Sequence, residues 1–140
     1  MLTADTRILR LIDANVNRCR EGLRVIEDTA RFVFDNESLY KKLRGLRHRV
    51  DRITRSAYPV LVLHRNAVAD SGRTMREGRR AHKSAIIAAN FRRVEESLRV
   101  LEEYGKLLSP RAGAQFKKVR FTVYTIEKNI HQLLADERGK

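Results

Sequence analysis

The sequence predicts an all-α fold, a four-helix arrangement made by duplicating one antiparallel helical hairpin, with a long central loop between the copies. Three observations carry this. Residues 14–28, ANVNRCREGLRVIED, recur as ANFRRVEESLRVLEE at 89–103, at a constant offset of 75. Apolar residues step by threes and fours through four separate segments, the rhythm of helices packed at about 20° in a bundle. Two prolines and seven glycines in 140 residues are too few for a turn-rich β protein.

The first helix, expected near 6–34, places Ile12, Val16, Cys19, Leu23, Ile26, Ala30 and Val33 on one seam. Asp35-Asn36 breaks it and can cap a second helix near 37–57, whose seam is Leu39, Leu43, Leu46, Val50, Ile53 and Ala57. Residues 58–81 lack a strong period. Pro59 opens the run Val60-Leu61-Val62-Leu63, then come His64-Arg65 and Ala69-Asp70-Ser71-Gly72, and 73–83 is basic. A connection that long inside a compact domain is often functional. The third helix, near 82–108, repeats the first in phase through Ile87, Phe91, Val94, Leu98, Leu101, Gly105 and Leu108. Ser109-Pro110 ends it and opens a fourth near 111–136, with Pro at an early helical position. LRHRVDRI (46–53) is echoed by VRFTVYTI (119–126) at an offset of 73, so the connection inside the second copy is shorter. The chain, 1–140, reads as one domain: repeat 1 about 6–57, central loop 58–81, repeat 2 about 82–136.

A chain of this size can bury roughly two-thirds of its unfolded surface without a staple. Cys19 is the only cysteine, which excludes an internal disulfide and a cysteine-based zinc site. A cytoplasmic location is expected. The opening Met1-Leu2-Thr3-Ala4-Asp5 does not read as a signal peptide, and no apolar run approaches the roughly 20 residues of a membrane span. Thirty Lys and Arg against seventeen Asp and Glu give a formal charge of +13, which attracts anions without saying which. The arginines are spread along the chain and aromatics suited to stacking are few, which speaks against a specific nucleic-acid binder.

Beside the apolar seam of the first helix lies a second stripe: Asn15, Arg18, Gly22, Val25 and Thr29, flanked by Ala14 and Glu21. In the copy the same face carries Asn90, Arg93, Ser97, Val100 and Tyr104, flanked by Ala89 and Glu96. Two readings fit this set. In one, the asparagines satisfy backbone groups near the symmetry axis and the arginines clamp carboxylates across the helix interface. In the other, Arg18 and Arg93 grip phosphate oxygens through a planar, bidentate fork, with Glu21 or Glu96 binding magnesium or orienting a hydroxyl. Duplication preserves both kinds of set equally well. Arg24/Glu27 and Arg99/Glu102 lie on the opposite flank and read as surface ion pairs at i,i+3. Asp70-Ser71-Gly72 reads as a surface turn, and His48, His64, His82 and His131 have no metal-ligand spacing. The common nucleotide and zinc motifs are missing from the sequence.

DANVNRCREGLRVIEDTARF (13–32), ADSG (69–72), AANFRRVEESLRVLEEYGKL (88–107) and FKKVRFTVYTIEK (116–128) together resemble one family. It is the non-ribokinase-type hydroxymethylpyrimidine phosphate kinases, a small domain found alone or fused in front of thiamine-phosphate synthase. The resemblance spans residues 7 to 130; Cys19 stands where a smaller residue such as Ala is expected, and 73–83 follows no family pattern. It implies transfer of a phosphoryl group from ATP to hydroxymethylpyrimidine phosphate. On that basis Arg18, Arg93, Arg65 and Gly72 are expected to hold phosphates, and Asn15 and Asn90 to position the phosphorylated pyrimidine. Glu21, Glu96 and Asp70 are the expected catalytic carboxylates, with Asp70 and Glu21 as Mg2+ ligands and the 58–81 loop closing over the transfer. Implied partners are ATP, the pyrimidine substrate and thiamine-phosphate synthase, and apolar residues on two faces of the repeat helices point to a homodimer. The rival expectation is a non-catalytic interaction domain whose stripe is an interface with the synthase.

Overall fold

The computed structural model of the chain describes residues 3–76 and 78–139. Two expectations therefore touch residues outside the described ones, the N-terminal reading at Met1-Leu2 and the basic stretch at Glu77. Helix α1 (Thr6–Asp28) runs on into one π-helical turn (Thr29–Val33), and α2 (Glu37–Thr54) ends in a 3-10 turn (Arg55–Ala57). A short α3 (Tyr58–Leu63) follows, then α4 (Lys83–Gly105) and α5 (Ala112–Arg138). The described residues form no strand. The fold is all-α, as the repeat requires.

The boundaries have local causes. Asp5 caps α1, its Oδ1 accepting from the Arg7 N–H at 2.9 Å, and Asn36 caps α2 by accepting from the Leu39 N–H at 3.1 Å. Between the hairpin helices Asp35 sits in the left-handed region, at φ 49°, where Asp is one of the few side chains tolerated. Ser109 Oγ accepts from the Ala112 N–H at 3.2 Å just ahead of α5, whose N-cap is Arg111, so Pro110 lies in the turn before the helix and not at the early helical position expected of it. The expectation of an unpatterned loop from 58 onward needs correction, because Tyr58–Leu63 is helical. Pro59 lies in its first turn, where its missing N–H has no partner to lose, and Leu61 turns inward and is buried. A four-residue apolar run is too short for its period to be read as a helix.

The four long helices close a ring. α1 packs most extensively on α4, α1 and α4 each pack on the following helix of their own hairpin, and α2 meets α5. α1 and α4, the repeat helices, therefore meet at the pseudo-dyad. Cys19 lies beside Ser97, and Gly22 lies against Val94 and Asn90. Partner numbers fall as α1 numbers rise, so the two helices are antiparallel. Gly22 and Ser97 are duplicates of one position, as are Cys19 and Val94. A Cβ on Gly22 would come within 2.6 Å of a Val94 methyl and 3.2 Å of the Asn90 carbonyl oxygen, so only the smallest residue fits that side of the crossing. Cys19 is fully buried here, and burial pushes its thiol up to about 12, which leaves it an inert packing residue.

The core is built on the four seams read from the sequence, with one correction: Val33, expected on the first seam, is 56 % exposed, because the π-helical turn Thr29–Val33 shifts the register after Ala30. Leu23, Leu98, Phe91, Phe116, Leu43 and Val123 are among its fully buried members, each contributing about 1.5–3 kcal/mol by leaving water. One expectation at its edge is overturned. Glu27 and Glu102 are not surface partners of Arg24 and Arg99 but are buried, at 2 % and 7 % exposure. Each takes an arginine from the next helix of its own hairpin. Arg47 donates through Nε and Nη2 to the two Glu27 oxygens at 2.8 and 3.2 Å, and Arg120 donates through Nε and Nη2 to Glu102 Oε2 at 3.0 and 2.8 Å. Arg24 instead pairs with Asp28, and Arg99 pairs with Glu103 at 3.1 Å while keeping the expected i,i+3 contact with Glu102 at 3.5 Å.

Candidate functional site

The face that α1 and α4 turn away from their hairpin partners, together with the start of the central loop, encloses an open cavity of about 660 Å³. Asn15, Arg18 and Glu21 reach it from α1, Arg93 and Glu96 from α4, and Arg65, Asp70 and Gly72 from the connection. Those are eight of the nine residues singled out from the sequence. The ninth, Asn90, lines a smaller neighbouring cavity of about 270 Å³, which Glu21 and Arg93 also line.

Helical spacing explains the convergence. Asn15, Arg18 and Gly22 lie on one stripe with Glu21 at its edge, and the duplication gives α4 the same stripe. Antiparallel crossing at the pseudo-dyad then sets the Arg18 end of one stripe beside the Glu96 end of the other. Both asparagines hold a carbonyl of their own helix, Asn15 Nδ2 donating to the Leu11 oxygen at 3.0 Å and Asn90 Nδ2 to the Ile86 oxygen at 2.8 Å. Serving backbone groups is what the structural reading of the stripe expected of them, and both still line a cavity wall.

The loop residues behave less uniformly. Arg65 is expected to hold phosphate, yet its fork is engaged by Asp13: Nε donates to Oδ2 and Nη2 to Oδ1, both at 2.8 Å. That hydrogen-bonded carboxylate raises the guanidinium further above its usual range. Asp70 Oδ1 accepts from the Gly72 N–H at 2.9 Å, closing an Asx turn on the cavity rim. The surface-turn reading of Asp70-Ser71-Gly72 therefore describes its backbone, and the cavity describes its position.

Sequence reasoning missed two residues. Asp13 is buried and fixes Arg65, and Arg10 Nη2 donates to the Asn66 carbonyl at 3.0 Å. Together they fasten the connection after α3 to α1. The duplicate positions in α4 are Ala88 and Ala85, so this fastening exists on one side of the pseudo-dyad only. A buried acid in an otherwise apolar seam, unmatched in the copy, was the available signal. The described residues contain no group of three or more His, Cys, Asp or Glu arranged to hold a metal on protein ligands alone, and no helix is long and apolar enough to cross a membrane.

Comparison with known proteins agrees with this picture in extent. The model of the ThiD2 family matches residues 10–129. The chain belongs to the ThiD2 family. Among the curated relatives of this ThiD2 chain is the thiamine-phosphate synthase of Nostoc punctiforme, 40% identical over 139 residues, covering 94% of the chain but 39% of the relative. The thiamine-phosphate synthase of Synechocystis sp. is 40% identical over 131 residues, covering 89% and 36%. That of Prochlorococcus marinus (strain MIT 9313) is 36% identical over 140 residues, covering 98% and 39%. The ThiD2 chain thus spans under two-fifths of the length of these relatives. No solved structure matches it.

Proposed function

We propose that the chain is an ATP-dependent kinase that converts hydroxymethylpyrimidine phosphate to its diphosphate in thiamine biosynthesis. The observation that carries this reading is the single cavity that gathers Arg18, Arg93 and three carboxylates, Glu21, Glu96 and Asp70. Phosphoryl transfer requires little of a protein beyond positioning and neutralising charge, and both substrates are anions that a +13 chain attracts. Membership of the ThiD2 family and relatives named thiamine-phosphate synthase support the pathway.

The chemistry makes modest demands on these residues. The acceptor is a phosphate monoester, already carrying about 1.5–2 negative charges near neutral pH. One of its oxygens attacks the terminal phosphorus of ATP, the bond to the bridging oxygen breaks, and ADP leaves. No proton has to be removed from an ionised acceptor, so no residue is needed as a base. Arg18 and Arg93 offset the charge of two anions brought together. Mg2+ is ordinarily held by one or two carboxylates and by substrate phosphates; Asp70 and Glu21 line the same cavity as the arginines and would supply the carboxylates, with substrate phosphates supplying further oxygens. Bound there, the ion would neutralise phosphate oxygens.

The test is incubation of the purified protein with Mg-ATP and hydroxymethylpyrimidine phosphate, in parallel with the unphosphorylated alcohol, with products resolved by anion exchange. Diphosphate formed from the monophosphate supports the reading. No turnover by folded protein with verified substrate overturns it. A second reading, a non-catalytic partner domain of thiamine-phosphate synthase, is favoured by one observation: the chain corresponds to under two-fifths of each relative. Co-elution with a separate synthase, without turnover, would favour it.

A further inference from the structure

The two cavities are duplicates of each other. Moving the α1 residues Ala14, Asn15 and Arg18 of the larger cavity forward by 75 gives Ala89, Asn90 and Arg93, which line the smaller one. Moving its α4 residues Glu96, Ser97 and Val100 back by 75 gives Glu21, Gly22 and Val25, which complete the smaller one. The pseudo-dyad has therefore produced two half-sites from one pattern of Asn, Arg, Glu and a small residue. Glu21 and Arg93 line both and stand at their junction.

The half-sites differ in what surrounds them. The larger is walled by Asp70, Gly72 and Arg73, on a segment that Asp13 and Arg10 fasten to α1. Among the described residues, the smaller receives from the central segment only Arg80. A two-substrate transfer needs two anion-binding half-sites that meet, so that the transferred group passes between them without leaving the protein. Size decides which ligand goes where. A nucleoside triphosphate is much the larger substrate and requires the larger cavity, whereas 270 Å³ suits a single-ring phosphate monoester.

We propose that the smaller cavity is the acceptor subsite, holding a phosphorylated pyrimidine with its phosphate toward Arg93, while the larger cavity holds a nucleoside triphosphate. The inference rests on the kinase reading and adds an address for each substrate. The acceptor oxygen and the terminal phosphorus then meet where the cavities join, at Arg93 and Glu21. The new P–O bond forms as the bond to the nucleoside diphosphate breaks, and the diphosphate leaves from the larger cavity.

Duplicate positions provide the test. Ala14 lines only the larger cavity and Ala89 only the smaller, both partly exposed on helices. Ala89→Leu should weaken calorimetric binding of hydroxymethylpyrimidine phosphate by about tenfold or more and leave a non-hydrolysable ATP analogue with Mg2+ within about twofold; Ala14→Leu should do the reverse. Arg80→Ala, at an exposed loop position that leaves the helices intact, should also weaken the monoester selectively. Loss of both ligands in the same variant, or the opposite pairing, overturns the assignment. So does an unchanged monoester affinity in both Ala89→Leu and Arg80→Ala. If the wild-type protein binds neither ligand, the kinase reading itself fails, a result distinct from normal wild-type binding with indifferent variants.

Discussion

Arg47 donates to both carboxylate oxygens of Glu27 across the α1–α2 interface, with side-chain exposures of 15 % and 2 %. Arg120 and Glu102 repeat the pairing between α4 and α5, there with both guanidinium nitrogens on Oε2. The pair is thus a property of the ancestral hairpin, and each copy still carries it. Removing one partner strands a buried charge, which typically costs about 3–5 kcal/mol. Glu27→Ala and Arg120→Ala should each lower stability by about 3 kcal/mol in urea unfolding, whereas Arg24→Ala, on an exposed pair, should stay within about 0.5 kcal/mol. Equal small effects at all three would refute the buried-pair account.

Arg93 separates function from structure. It lines both cavities, outside the apolar seam. Arg93→Ala should cut turnover by about 100-fold or more, on the scale of other charge-stabilising groups, with a melting temperature lowered by only a few degrees. Parallel loss of fold and activity would return the stripe to the structural reading.

The Asp13–Arg65 contact should behave as a fastening. Asp13→Ala frees the Arg65 fork and leaves a small buried void, so the segment after α3 should become a faster site of limited proteolysis. Nucleotide affinity should fall with it, while monoester affinity holds. Unchanged cleavage kinetics would show that α3 alone fixes the segment.

A pH effect is expected on the opposite face. Burial and the neighbouring Glu127 carboxylate push the Glu95 carboxyl up to about 8. The folded state therefore holds a proton that the unfolded chain releases nearer pH 4.5, so stability falls as pH rises from about 4.5 through 8. Glu95→Gln should gain in melting temperature over the wild type progressively across that window. A difference that does not vary between pH 5 and pH 8.5 would exclude a proton retained on Glu95.

Much of this was legible in the residues. The duplication and the 3-4 seams predict the four long helices, and the stripe at offset 75 predicts which side chains share a cavity. What escaped was set by packing between helices. Glu27 and Glu102 sit at i,i+3 from arginines, the spacing of a surface pair, and only the α2 and α5 residues opposite them decide that they are buried. The aligned arginines of the weaker echo, Arg47 and Arg120, were the clue. α3 escaped because six residues are too few to display a period, and the fastening at Asp13 because its partner lies 52 positions away. The first copy's longer connection has a visible counterpart in its π-helical turn, since such a turn absorbs an extra residue without breaking the helix.

The back-bonds of Asn15 and Asn90 have one more result. The Leu11 and Ile86 carbonyls can only accept, so each amide must turn its nitrogen toward them and its oxygen away. Rotating either amide by half a turn would set oxygen against oxygen. The polarity that each half of the duplication presents is therefore fixed before a ligand arrives, and a ligand that matches it finds a group that no longer has to be ordered on binding.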